Sequence, residues 1–269
     1  MTKAAPCTVA TVNLYHWAEP GIGWYSAEAS HSSEGWAEKC AWLTALLAEM
    51  DADVVGFQEV VSVAHLEALC AAAGYAHFSV VAEPRFAEAE LNAEPAPAVA
   101  RYYTRPVQAV ASRHPMPAQP VRASASVARA AEAPDRPIFG VGDLNDDPSS
   151  SALRALTAYR PFERDGGAAG DDADPALVDP AQAFRLIDAH RLSPPSLTSD
   201  HRAPTHRSGA RGEPIDFVLV SAPLHPWATP QRLVRARVHD AHFRGGDPAR
   251  SSDHAAVSAQ VGVQVVVCA

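Results

Sequence analysis

Apolar positions along the chain fall into short continuous runs, each ending in a polar residue, and helical spacing is confined to the early half. Thr8 to Leu14 (TVATVNL) predicts a buried strand with Asn13 near its end. A loop rich in Gly, Ser, His and Trp follows to about Ser33, a composition suited to a site rim. From Glu34 to Met50 the apolar residues Trp36, Cys40, Leu43, Leu46, Leu47 and Met50 recur at helical spacing, which predicts an amphipathic helix. Val54 to Phe57 reads as a second strand that runs into Gln58 and Glu59. A helix from Ser62 through about Ala73 and a strand from Tyr75 to Val81 complete a βαβαβ-like order.

Ala82 to Ala98, rich in Ala, Glu and Pro, predicts a loop, and Val99 to Tyr103 with Pro106 to Ala111 predicts a strand pair closed by SRHPMP. Weak alternation at Val121, Ala123, Ala125 and Val127 makes Ala118 to Arg136 an edge strand or a short helix. Ile138 to Val141 is a short buried strand that Gly142 is expected to end, with Asp143 and Asn145 just beyond it. Two apart on extended backbone, those side chains point the same way, into the crevice where open α/β folds bind ligands. The competing reading is an Asx turn leading into a helix from Ser149 to Ala158. An acidic loop, Asp165 to Asp179, a short strand or turn at Phe184 to Ala189, and a polar loop from Pro194 to Gly212 come next. Ile215 to Val220 is a strand carrying Asp216 at its start, Leu233 to Val238 alternates as another, and the last strand begins after Asp253 and His254. Strands that alternate with two helices early and cluster late fit an α/β sandwich better than a doubly wound sheet.

Composition narrows the class. The chain of 269 residues, 47% hydrophobic and 20% charged, is long enough for a full core and is read as one domain over 1–269. A net charge of -9 argues against a broad grip on nucleic acid through counterion release, yet leaves room for a narrow phosphate site. Cys7, Cys40, Cys70 and Cys268 are scattered, so free thiols are expected rather than a zinc ribbon or disulfide framework. No leading apolar segment and no run approaching the roughly 18 apolar residues of a membrane span occurs, so a cytoplasmic monomer is expected.

Asn13, Glu59, Asp143 with Asn145, Asp216, and Asp253 with His254 all occupy the ends of buried strands. Glu59, helped by Asn13 and Asp253, can hold one Mg2+ or Mn2+ through oxygen ligands. Asp143 can orient or deprotonate a water, and His254 can stabilise or protonate a phosphoryl oxygen if Asp216 fixes its tautomer. The run Asp143, Asn145, Asp147 fails as an EF-hand loop because Pro148 replaces the glycine and Arg154 the bidentate glutamate. His190, His201, His206, His239 and His242 match no zinc spacing and are expected to be solvated loop residues. Trp17, Trp24 and Trp36 are expected in a binding rim or in the core.

In their order along the chain, the Asn13 strand, FQEV at Phe57 to Val60, GDLN at Gly142 to Asn145, PIDFVLVS at Pro214 to Ser221 and SDHAAV at Ser252 to Val257 resemble the endonuclease/exonuclease/phosphatase family. The resemblance implies a deoxyribonuclease-I-like fold, a two-sheet αββα sandwich, and metal-dependent hydrolysis of a phosphate ester, with nucleic acid or a small phosphodiester as substrate. It implies that Glu59 binds the metal, that Asp143 and Asn145 handle water and phosphate, that Asn13 also holds phosphate, and that Asp216 orients His254. One departure stands out. Only the 21 residues from Pro117 to Pro137, without a histidine, separate SRHP from the GDLN strand, where family members carry further strands. Some central strands are therefore expected to be missing, with His114 or Tyr103 as substitutes for a lost histidine. The rival expectation is a truncated relative that folds and binds a cation without turnover.

Overall fold

The structure, a computed structural model, describes residues 6–116, 138–146, 186–193, 204–208, 211–221, 234–244 and 251–262. Its largest sheet has six strands in the order β13-β14-β1-β3-β7-β4: Val234–His239, Ala256–Gly262, Pro6–Trp17, Val54–Val60, Val107–Ser112 and His77–Val80. β1 and β3 run parallel, and the other neighbours are antiparallel. The expected βαβαβ order holds with one change, since β7 inserts between β3 and β4. A second sheet, β8-β12-β9, joins Phe139–Asp143, Asp216–Val220 and Ile187–Asp188.

Helices α1 (Ser33–Met50) and α2 (Val63–Ala72) cover the outer face of the large sheet. α1 starts where the Ser32 side chain accepts a hydrogen bond from Gly35 N–H at 3.0 Å, and stops at Asp51, which takes a left-handed φ of 43°. Its apolar stripe, Trp36, Leu43, Leu46, Leu47 and Met50, packs on Ala10, Val12 and Leu14 of β1 and on Val55 and Phe57 of β3. The opposite face of the large sheet presents Val257, Ala259 and Val261 to Val218 and Val220 of the second sheet. Strand alternation thus sends even positions of β1 to the helices and odd positions, including Asn13, to the space between the sheets. The sheets approach closely at Gly56, where a Cβ would lie 2.5 Å from Val141 Cγ2.

Several expectations are corrected. Val99 to Tyr103 and Pro106 to Ala111 are not a pair: Arg101–Arg105 (β6) lies between Ile22–Trp24 (β2) and Arg85–Glu88 (β5) in a three-stranded sheet, while β7 belongs to the large sheet. Pro106 sits at the switch, where it offers no N–H to either ladder. Part of the Ala82 to Ala98 loop is therefore strand. Gly142 does not end β8, because Asp143 still pairs in register with Asp216. The polar stretch from Pro194 to Gly212 contains His206–Ser208 (β10), which forms a hairpin with Arg211–Glu213 (β11). The readings for Ala118 to Arg136, the Ser149 to Ala158 helix and the Asp165 to Asp179 loop lie outside the described residues.

Candidate active site

Asn13 is the hub of the site. It faces the second sheet from the end of β1, and its Nδ2 donates to Glu59 Oε1 at 3.2 Å and to Asp143 Oδ2 at 3.1 Å. One amide thereby links a carboxylate on the large sheet to one on the small sheet. Its Oδ1 accepts from Tyr15 N–H at 2.9 Å. Glu59 would point toward the helices if β3 simply alternated, as Val55 and Phe57 do. A bulge prevents this: from Phe57 to Val60 β3 advances three residues while β7 advances only from Ala109 to Val107. Glu59 takes φ 58° in that bulge, and beside it β1 advances from Asn13 to Trp17 while β3 goes only from Gln58 to Val60. The extra length in β1 is taken up at Tyr15 and His16, with φ of 45° and 61°. His16 N–H then donates to Glu59 Oε2 at 3.1 Å.

The other half comes from the small sheet and the segment before β14. Asp143 and Asp216 are directly opposed on antiparallel strands, so their side chains share a face. His254 enters over them: its Nδ1 bonds Asp216 Oδ2 at 2.9 Å, while its Nε2 lies 3.9 Å from Asp143 Oδ2 and 3.7 Å from Asp253 Oδ1. Burial alone would lower the His254 pKa, but the bond to Asp216 and the charges of Asp216, Asp143 and Asp253 outweigh it and hold the imidazole above its usual range. Burial pushes the Asp216 carboxyl up, and the His254 bond pulls it back. Asn145 takes a left-handed φ of 50° and folds back, its N–H donating to Asp143 Oδ1 at 2.8 Å and its Nδ2 to Asp143 Oδ2 at 3.2 Å. This is the Asx turn, and it corrects the expectation of extended backbone through Asn145: the strand ends at Asp143, and Asn145 lies beside it only because the chain folds back.

Sequence reasoning missed the groups that hold these residues. Ser252 Oγ donates to Asn13 O at 2.7 Å and accepts from His254 N–H at 3.0 Å, tying the last strand to the first. Thr205 Oγ1 accepts from Asp216 N–H at 2.9 Å, and fully buried Lys39 donates to the Ser251 carbonyl. His206 is no solvated loop residue: its Nε2 lies 3.6 Å from Asp253 Oδ2 and its ring 4.6 Å from that of His254. Likewise His239 is buried, which corrects the same expectation there. Beside Glu59, His16 Nδ1 is hydrogen-bonded to the Tyr103 hydroxyl, and burial, with the nearby Lys39 and His31, pushes His16 down to about 4. Tyr103 therefore stands next to the site, whereas His114 bonds Asp53 at 3.2 Å at the opposite end of β3. Trp17 and Trp36 are core, and Trp24 stacks on His16. The signal for most of these partners is three-dimensional, although Ser252 is part of SDHAAV and was legible there.

Donor chemistry fits a hard divalent cation. Glu59 accepts one N–H on each oxygen and keeps further lone pairs, and the buried Asp253 Oδ1 accepts no hydrogen bond among the described residues. Two groups, His206 with Asp253 and His254, and Asp143 with Asp216 and His254, gather ligand atoms within 4.8 Å of one another; Glu59 is in neither.

The endonuclease/exonuclease/phosphatase family model matches residues 39–254, more than half of the chain, and the protein belongs to that family. The family comprises phosphoester hydrolases, typically metal-dependent. The fold is similar to that of an endonuclease/exonuclease/phosphatase family protein from Leptotrichia buccalis, with 12% identity, TM-score 0.50, and coverage of 96% of this chain and 100% of that one. It is also similar to ANGEL2, a 2',3'-cyclic phosphatase, with 13% identity, TM-score 0.50, and coverage of 97% and 98%. This is the deoxyribonuclease-I-like α/β sandwich, and the comparisons carry no sign of the expected truncation. Comparison with curated proteins returns no significant match. No helix among the described residues is long and apolar enough to cross a membrane. Cys7, Cys40 and Cys70 are free thiols.

Proposed function

We propose that the protein is a phosphodiesterase or nuclease-type hydrolase that uses one Mg2+ or Mn2+ ion and an activated water. The observation that carries this reading is His254, fixed through Nδ1 by Asp216 and presenting Nε2 toward Asp143 and Asp253. Glu59 and Asp253 would hold the ion, with Asn13 keeping Glu59 oriented. The bound ion supplies Lewis-acid stabilisation of the charge that builds on the phosphate. Asp143, steadied by Asn13 and by the Asn145 backbone, accepts the proton of the attacking water. The Asn145 amide has a second N–H that would donate to a non-bridging oxygen, whereas both N–H of Asn13 are taken by Glu59 and Asp143, so Asn13 positions those carboxylates instead of holding phosphate. The bond to Asp216 and the flanking carboxylates raise the His254 pKa and so favour the protonated imidazole, whose Nε2–H would donate to a phosphoryl oxygen. Net charge of -9 favours a small or single-stranded phosphodiester over long duplex DNA.

Hydrolysis of bis(p-nitrophenyl) phosphate and of plasmid DNA tests this, with Mg2+, Mn2+ or EDTA present, for the native chain, Asp143→Ala and His254→Ala. Metal-dependent turnover lost in both variants is the expected result. Equal rates in all three proteins would show that Asp143 and His254 do not carry the reaction, and none in any would leave a fold without turnover; either result refutes the proposal.

A further inference from the structure

Left-handed backbone in bulky residues is costly and persists only where the surroundings enforce it. Here it is concentrated beside the proposed metal carboxylate. Besides Glu59 itself, three ring-bearing residues adopt it: Tyr15 at 45°, His16 at 61° and Tyr25 at 56°. Their rings form one assembly. His16 stacks on Trp24 with centroids 4.9 Å apart and planes 5° off parallel, and meets Tyr15 at 4.4 Å. Tyr25 closes the far side edge-on, 5.7 Å from His16 and 5.0 Å from Tyr103. The assembly touches the chemistry, because His16 Nδ1 lies 3.5 Å from Glu59 Oε2.

Core packing explains only part of this. Tyr103 is fully buried and His16 nearly so, but Tyr25 is 54% exposed, one of the few exposed large hydrophobic side chains among the described residues. A residue that pays a left-handed backbone to show half its ring to solvent gains nothing for the core from that conformation. Its neighbours fix the ring instead of covering it, and the Tyr25 backbone N–H is anchored on Tyr103 O at 3.1 Å. A rigid exposed ring next to a phosphate-handling centre is a stacking surface: planar groups bind to such surfaces irrespective of their hydrogen-bond pattern.

We infer that Tyr25, braced by His16 and Tyr103, is a substrate-binding residue that stacks a planar aromatic group attached near the scissile phosphate, so that the site takes nucleotide or aryl phosphoesters in preference to aliphatic ones. The inference rests on the phosphoesterase reading and adds the substrate class. Its chemistry does not separate a nucleobase from an aryl ring; the probes do.

Dissociation constants of adenosine 5'-monophosphate, phenyl phosphate and ribose 5-phosphate, measured by calorimetry with Mn2+ present, test it independently of turnover. The two aromatic probes are expected to bind about tenfold more tightly than ribose 5-phosphate, the lower end of base-on-aromatic stacking. Tighter binding of adenosine 5'-monophosphate than of phenyl phosphate assigns the surface to nucleobases, and the reverse order to aryl esters. Tyr25→Phe should keep the preference. Tyr25→Gly should abolish it while relieving the left-handed strain, so its melting temperature controls for misfolding. Equal affinities for all three probes in the native chain, or a preference that survives in a folded Tyr25→Gly, would overturn the inference. Phosphodiester hydrolysis without the preference would sink this inference alone, and the preference without hydrolysis would sink only the catalytic proposal.

Discussion

His254 and His239 are each bonded through Nδ1 to a carboxylate at 2.9 Å, Asp216 in the first case and Glu49 in the second, and both are buried. They differ at Nε2. In His239 that nitrogen meets Ser258 Oγ at 2.8 Å, completing a chain from α1 through β13 to β14. In His254 it sits 3.9 and 3.7 Å from two carboxylates, beyond hydrogen-bond length. The Glu49, His239 and Ser258 chain has the order of a hydrolytic triad, yet Ser258 lies mid-strand with β1 and β13 paired on either side. Its neighbouring N–H groups serve the sheet, and no oxyanion site is left for them to form. A satisfied second nitrogen makes a brace, and an unsatisfied one is left open to a ligand, as the role proposed for His254 requires. The charge balance agrees: carboxylates hold the His254 proton on, whereas burial dominates at His239 and keeps it off.

The sharpest way to break this contrast is to remove each ring. His254→Ala is expected to cut kcat by about 10²–10⁴-fold and also to lower stability by about 1–3 kcal/mol, because buried Asp216 loses its partner, read from steady-state hydrolysis below the melting transition and a melting curve. Asp216→Asn, which keeps shape but removes the charge behind His254, should cost about 10²-fold or more and move the alkaline limb of the pH–rate profile to lower pH, since His254 donates in its protonated form. His239→Leu should leave kcat near native and lower stability by about 1–3 kcal/mol, because Ser258 loses its buried partner. Denaturant titration measures that.

The pH dependence of stability follows the same division. Burial lowers the pKa of His239, and of His242, below 6.5. In the unfolded chain both take up protons near their ordinary value, so the stability they contribute is complete above about pH 6.5 and is lost as pH falls below it. Melting temperature should therefore fall more steeply on acidification in the native protein than in His239→Leu. The smallest effect belongs to Arg237, whose guanidinium bonds Glu49 at 2.9 Å at the surface. Arg237→Ala should cost under about 1 kcal/mol and be muted further by salt.

How much of this the sequence disclosed can be read from the same residues. Buried runs located β1, β3, β12 and β14, and α1 was legible from its stripe, because periodicity records which face is buried. The strand ends exposed Asn13, Glu59, Asp143, Asp216, Asp253 and His254 as a set. Periodicity does not record the partner of a strand, so β6 and β7 looked paired although they lie in different sheets. Nor does it record bulges: TVNLYHW gives no sign that Tyr15 and His16 turn left-handed, or that Glu59 leaves the helical face. His206 and His239 looked solvated because their burial comes from residues far along the chain, Asp253 and Glu49. Fit at a distance is what a linear reading lacks.

The hollow at Gly56 has a further implication. Val141 fills it, and Asp143 lies two residues further along the same face of β8, where it reaches Asn13. The gap between the halves carrying Glu59 and Asp143 is therefore gauged by a hydrogen atom in place of a methyl group. Enlarging that one atom would act as a wedge, levering the small sheet outward and drawing Asp143 away from the amide that it shares with Glu59. The active centre would come apart along the seam between the layers while each layer kept its own core.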